Sequence, residues 1–191
     1  MLDAVVFIGR FQPPNLAHIE ILKKAQTLAK KVIVLAGSAN RERSFLNPWT
    51  AAERIEMIKS VKELDHNKIV IAPLSDSNND FAWWLDLVKK TVKETAQEAC
   101  KIGVIGCKKD KSSYYLDYFP QWQFIEIPNL SGGISSTQIR EELFKTLFET
   151  SAQDPFQNKI AGVCQEVERW LKNWFKNNRT IYENLKMPAE K

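Results

Sequence analysis

Gly9-Arg10-Phe11-Gln12-Pro13-Pro14-Asn15-Leu16-Ala17-His18 is the stretch whose reading decides the fold. It follows a short apolar run, Ala4-Val5-Val6-Phe7-Ile8, which reads as a buried strand. It precedes Ile19, Leu22, Ala25 and Ala29, which recur as one face of a helix. A glycine, an arginine and a histidine thus fall in a strand-to-helix turn at the carboxyl end of a first strand. Open α/β sheets bind ligands at that end, and a helix N-terminus there offers its N–H groups to a phosphate. A lone histidine in a first helical turn is otherwise most often structural, so this stretch alone leaves both readings open.

Outward from that turn the same alternation continues. Apolar strand-like runs recur at 4–9, 32–36, 68–72, 101–105 and 122–127, with helical periods at 16–30, 50–64 and 79–98 between most of them. Such alternation predicts an α/β fold with a five-stranded parallel sheet covered on both faces. Right-handed crossovers then make it doubly wound and Rossmann-like. Thr50-Ala51-Ala52-Glu53, directly after Pro48, has the spacing of a capping box. Residues 108–121 form a connection, with Ser112-Ser113-Tyr114-Tyr115 opening a short helix, and 135–148 form one further helix. Asp154-Pro155 marks a restart, after which Phe156, Ile160, Val163, Val167, Trp170 and Trp174 follow at steps of three and four. That stripe packs on the chain's own core or on a sister subunit. The tail from Asn177 is polar, with Tyr182 and Leu185 as its anchors. The expected division is a nucleotide-binding domain over 1–150 and a helical extension over 151–191.

The bulk composition excludes several classes. A chain of 191 residues can bury a real core, and a formal charge of +4 suits phosphate-bearing ligands without arguing for nucleic acid. Lys172, Lys176 and Arg179 interleave with Trp170 and Trp174 at helical spacing, which is a packed amphipathic helix rather than a nucleic-acid surface. Cys100, Cys107 and Cys164 have no paired spacing, so neither a disulfide framework nor a zinc site is expected, and a reducing cytoplasm fits. Met1-Leu2-Asp3 lacks the basic start of a signal peptide, and no apolar run is long enough for a membrane span. His66 falls in Leu64-Asp65-His66-Asn67, an exposed helix end.

A second segment, Ser131-Gly132-Gly133-Ile134-Ser135-Ser136-Thr137-Gln138-Ile139-Arg140, reads first as a glycine turn and a helix start capped by Ser135 with Gln138. Together with the first stretch it also resembles the nucleotidylyltransferase superfamily. Ile134 to Arg140 matches that superfamily's second signature, I-S-S-T-x-I-R, and Gly9 to Pro13 is the flank used by archaeal-type nicotinamide-nucleotide adenylyltransferases and their bacterial relatives. Gly37-Ser38-Ala39-Asn40 and Asn47-Pro48-Trp49-Thr50-Ala51-Ala52-Glu53-Arg54 are similar to further motifs of that family. Lys109-Asp110, Ser112 to Tyr115 and Phe119-Pro120-Gln121-Trp122 resemble the bacterial branch, many of whose members carry a Nudix hydrolase domain; no Nudix box occurs here. The chain is read as either a stand-alone or a truncated form. The first signature, H-x-G-H, departs to Asn15-Leu16-Ala17-His18, losing a histidine and a glycine, and Leu46 stands where archaeal relatives place a base. Arg41 or Arg43 is a candidate to restore that charge.

The resemblance implies adenylyl transfer from ATP to nicotinamide mononucleotide, giving NAD and pyrophosphate, with magnesium held mainly by the ATP phosphates and no protein metal ligand. It implies that His18 donates to the α-phosphate, that Arg140, Ser135, Ser136 and Thr137 hold the outer phosphates, and that Arg10 faces the phosphate channel. Gly9, Phe11, Asn15 and Gly106 fall on the ATP side, and Gly37, Ser38, Asn79 and Trp84 on the mononucleotide side. Asn15 serves either as a phosphate donor or as a helix N-cap. Trp84 lines the nicotinamide pocket or packs with Phe81, Leu85 and Val88, with Trp83 the more exposed neighbour; Asn78 and Asn79 bond the carboxamide or one of them caps the helix. Another acceptor, such as nicotinate mononucleotide or phosphopantetheine, and a degenerate ATP-binding regulator are the alternatives. A homo-oligomer joined through the Trp-bearing last helix also remains open.

Overall fold

Five strands, β1 (Leu2–Gly9), β2 (Ala29–Ala36), β3 (Ile69–Pro73), β4 (Ile102–Gly106) and β5 (Gln123–Glu126), form one wholly parallel sheet of order β3-β2-β1-β4-β5. The structure is a computed structural model and describes residues 1–107, 111–128, 135–149 and 159–185. In β1 and β2 nearly every side chain is apolar because both faces are covered: Val5, Phe7, Val32 and Val34 enter one core, and Ala4, Val6, Ile33 and Leu35 the other. The edge strand β3 is covered less, and Val70 is exposed.

Helices α1 (Leu16–Leu28), α2 (Ala51–Ser60), α4 (Ser136–Glu149) and α5 (Gln165–Asn177) contribute to the first core. Helix α3 (Phe81–Ala96) and a 3-10 helix over Lys111–Tyr118 cover the opposite face. The chain runs outward from β1 to β3 on one side and returns to β4 and β5 on the other. The order therefore reverses between β1 and β4, which opens a crevice at their carboxyl ends, Gly9 and Gly106.

The capping boxes at Thr50 with Glu53 and at Ser135 with Gln138 form as the spacing predicts. The expected stripe in the last helix is displaced. Helix α5 begins at Gln165, so Ile160 and Val163 lie ahead of it, and its buried side is Val167, Leu171, Trp174 and Phe175. That side joins the chain's own core, where Phe175 meets Trp49, Phe144, Trp174 and Tyr182 edge-on. Burying one such ring is worth roughly 1.5–3 kcal/mol. A short α6 (Arg179–Glu183), absent from the sequence reading, seats both expected anchors, Tyr182 and Leu185. Asp154-Pro155, Phe156, Lys109-Asp110 and Ser131 to Ile134 lie outside the described residues. Among the described residues no helix is long and apolar enough to cross a membrane.

Candidate active site

The β1–α1 turn is folded tightly under its own aromatic ring. Phe11 adopts a left-handed φ of 51°, and its ring lies back over Gly9, where a Cβ would come within 2.8 Å of the Phe11 Cζ. Gly9 is therefore small to admit Phe11, and the buried Phe11 ring meets His18 edge-on at 4.9 Å and Phe7 at 5.4 Å. These two residues, expected on the ATP side, build the floor beneath the imidazole. His18 sits in the first turn of α1, its N–H donating to Asn15 Oδ1 at 3.0 Å while its Nδ1 accepts the Asn15 N–H at 3.1 Å. An Nδ1 acting as acceptor leaves the neutral imidazole's proton on Nε2, so the ring is set as a donor at that atom.

Asn15 caps α1 and also reaches the second motif. Its Nδ2 donates to Ser136 Oγ at 3.3 Å, and Ser136 Oγ donates to the Pro13 carbonyl at 2.8 Å. The N-termini of α1 and α4 are thereby clasped side by side, 121 residues apart in sequence. Of the two readings for Asn15, the cap forms through Oδ1, and one hydrogen of its Nδ2 goes to Ser136. Ser135 and Thr137 are exposed at the start of α4, free of the core.

Arg140 lies beneath this arrangement at 1% exposure. Its Nη1 donates to the Gln12 carbonyl at 2.6 Å and to the Ser136 carbonyl at 3.2 Å, and Nη2 to Thr137 Oγ1 at 3.1 Å. Its Nε is buried with no hydrogen-bond partner among the described residues. The arginine expected to clamp the outer phosphates is thus buried, with its Nη1 on backbone carbonyls. Burial, with repulsion from Arg10, pushes this guanidinium down to about 10, which leaves it charged at pH 7. The Arg10 side chain is exposed at the turn, and its guanidinium makes no hydrogen bond or ion pair among the described residues.

Two residues that sequence reasoning did not place in the site hold its other wall. Arg54, 0% exposed, donates from Nη1 to the Arg10 carbonyl at 2.5 Å and the Gly37 carbonyl at 2.7 Å. Burial pushes it down to about 10 as well, Arg10 adding to the effect and Asp76 and Glu53 opposing it. Gln12 braces the turn by donating to the Trp49 carbonyl at 2.6 Å and accepting the Trp49 N–H at 3.2 Å. Only the run Gly9 to Pro13 hinted at Gln12; for Arg54 the signal was an arginine within an otherwise apolar helix face.

After β2, Ser38 takes a left-handed φ of 54° and donates its N–H to Asp76 Oδ1 at 3.2 Å. Asp76 also exchanges bonds with Asn40 and accepts from Arg41 Nε at 3.0 Å. Arg41 is thus engaged, and Arg43 more so: it grips Glu53 with both nitrogens, at 2.7 and 2.8 Å, and lies 5.5 Å from the Trp174 ring centroid. Glu53 also accepts from Trp174 Nε1 at 2.6 Å and the Thr50 N–H at 2.8 Å. Burial pushes the Glu53 carboxyl up, but Arg43, Trp174 and Thr50 more than offset this and hold it below its ordinary value.

On the far side, neither Asn78 nor Asn79 caps α3. Asp80 does, accepting the Trp83 N–H at 2.8 Å, while Asn79 stands exposed at a φ of 65°. Trp84 is half-buried, stacked on Phe81 at 5.9 Å and edge-on to Tyr115 at 5.5 Å, and Trp83 is 47% exposed. Gly106 is small because Leu116 packs on it, 3.0 Å from where a Cβ would be. Among the described residues no three His, Cys, Asp or Glu side chains converge as metal ligands.

Two helix N-termini clasped at the reversal of a parallel sheet, beside a donor imidazole and three guanidiniums, are the arrangement of an α/β protein that binds phosphate-bearing ligands. The chain belongs to the Cytidylyltransferase-like family, whose model matches residues 6–142. It is 38% identical over 144 residues to a nicotinamide/nicotinic acid mononucleotide adenylyltransferase of Acinetobacter baylyi, covering 75% of this chain and 76% of that one. It is also 38% identical over 85 residues to a nicotinamide-nucleotide adenylyltransferase of Aeropyrum pernix, covering 43% of this chain and 49% of that one. Among solved structures, a bifunctional NMN adenylyltransferase/ADP ribose pyrophosphatase from Francisella tularensis, complexed with AMP and a manganese ion, superposes with a TM-score of 0.79 at 28% identity. That match covers 97% of this chain and 52% of the other, so the chain spans about half that protein's length.

Proposed function

We propose that this chain transfers the adenylyl group of ATP to nicotinamide mononucleotide. The mononucleotide's phosphate oxygen attacks the α-phosphorus in line, the bond to the β-phosphate oxygen breaks, and NAD and pyrophosphate result. An acceptor phosphate is already an anionic nucleophile at neutral pH, so alignment and charge stabilisation carry the catalysis. The observation that carries the reading is the Asn15–Ser136 clasp, which brings the start of α4 beside His18. Relatives named for the same reaction support it.

In this reading His18 Nε2–H donates to the α-phosphate as charge builds there. The start of α4, with Ser135 and Thr137, holds the outer phosphates, and Arg10 reaches them from the rim. Arg140 acts from below by fixing the turn that carries Arg10. Gly37, Ser38, Asn79 and Trp84 lie on the mononucleotide side. Magnesium would ride on the ATP phosphates, supplying charge neutralisation to the leaving pyrophosphate. Nicotinate mononucleotide is a second acceptor, favoured by the name of the Acinetobacter relative. Pyrophosphate release with ATP, magnesium and each acceptor in turn tests the proposal; release with neither mononucleotide would refute it.

A further inference from the structure

We propose that Arg54 is a positioning residue that locks the turn after β1 to the turn after β2, holding the loops of the two substrates in one register. This rests on the reaction proposed above only for which substrate lies on which turn. A guanidinium at 0% exposure is costly to bury, and no carboxylate lies within ion-pair distance of it among the described residues. Its neighbours on α2, Met57 and Ile58, are buried apolar side chains, so an apolar residue would suit the packing. The charge must be retained for what it holds.

What it holds is backbone from three places. One nitrogen, Nη1, donates to the Arg10 carbonyl after β1 and to the Gly37 carbonyl after β2, and Nε donates to the Thr50 carbonyl at 3.2 Å. The turns also meet directly, the Gly37 N–H donating to the Gly9 carbonyl at 2.9 Å. Arg140 and Ser136 take the Gln12 and Pro13 carbonyls in the same way. Together these contacts turn the carbonyl oxygens of the β1–α1 turn inward, away from where an anion would approach. Arg140 and Ser136 grip that turn alone, whereas Arg54 spans both. In-line transfer between ligands held on two separate turns depends on their relative placement, and a shift of about 1 Å can cost roughly 10²-fold in rate.

The test is Arg54→Lys in the full chain, with Arg140→Lys beside it. Lysine keeps the charge but has a single nitrogen, which cannot hold the planar geometry that bonds both turns through Nη1 while Nε holds Thr50. With ATP and nicotinamide mononucleotide, Arg54→Lys should lower kcat about 10- to 100-fold while each KM stays within about three-fold. Hydrogen exchange should quicken in residues 9–12 and 37–40 together, whereas Arg140→Lys should quicken the first segment only. Unchanged kcat, or exchange altered in one turn alone, would overturn the proposal. The exchange readout needs no acceptor, so inactive wild-type protein would refute the proposed reaction and leave the Arg54 result standing or falling separately. If neither lysine variant folds, exchange on the wild type decides: one common opening rate for the two turns supports the lock, and independent opening contradicts it.

Discussion

Replacing Asn15 with alanine removes two bonds whose loss can be sized from the geometry. Its Oδ1 caps the His18 N–H at 3.0 Å, and an N-cap asparagine exchanged for alanine costs about 1 kcal/mol. Its Nδ2 reaches Ser136 Oγ at 3.3 Å, a long, part-buried bond worth about 0.5–1 kcal/mol. The sum, about 1.5–2 kcal/mol, corresponds to a fall in Tm of roughly 3–8 °C for a chain of this size. The bond to His18 Nδ1 comes from the Asn15 backbone and survives, so the imidazole stays aimed and turnover should fall by no more than about ten-fold. Calorimetry of the nucleotide-free protein, alongside steady-state kinetics, measures both. Asn15→Asp is the control: it keeps the cap acceptor, loses the donor and adds a charge that the helix N-terminus favours, so its Tm should lie above that of Asn15→Ala. An Asn15→Ala protein with unchanged Tm but ATP affinity lowered a hundred-fold would refute the clasp and make Asn15 a phosphate ligand.

His18→Ala should cut turnover by roughly 10²-fold or more while ATP binding weakens only modestly, because the donor is needed most as charge develops; calorimetric titration with ATP beside a rate assay separates the two. Glu53→Gln should be less stable than wild type at pH 7, since a carboxyl held below its ordinary 4.5 contributes stability above that value. The difference should shrink as pH falls through the lower folded-state value, read from melting curves between pH 3 and 7. A constant difference across that range would remove the Arg43–Glu53–Trp174 link as its source. Chelating divalent cations should abolish turnover yet leave the Tm of the nucleotide-free protein unchanged, if magnesium arrives on the substrate.

The sheet was legible because Ala4 to Ile8 and Val32 to Ala36 are apolar enough to mark strands covered on both faces, and the capping boxes at Thr50 and Ser135 mark helix starts by local chemistry alone. The last helix was misjudged in phase because a three-and-four stripe continues through Ile160 and Val163, which pack in the core without being helical. Within the site, motif residues were visible but their directions were not. Gly9 and Phe11 occur in the motif, yet the ring's return over the glycine depends on a left-handed backbone that no local pattern declares. Arg140 stood out through its motif, while Arg54 appeared only as the last residue of another. Their burial follows from tertiary contacts to the Arg10, Gly37 and Gln12 carbonyls, which only the folded chain brings within reach. Asp80, not Asn78 or Asn79, caps α3 because Asn79 is diverted into a left-handed turn.

The most direct measurement is the stoichiometry of products with ATP, magnesium and nicotinamide mononucleotide. The account predicts NAD and pyrophosphate formed in equal amounts, and neither formed when the mononucleotide is omitted. ATP bound with measurable affinity but no pyrophosphate released, with this acceptor or with nicotinate mononucleotide, would contradict it.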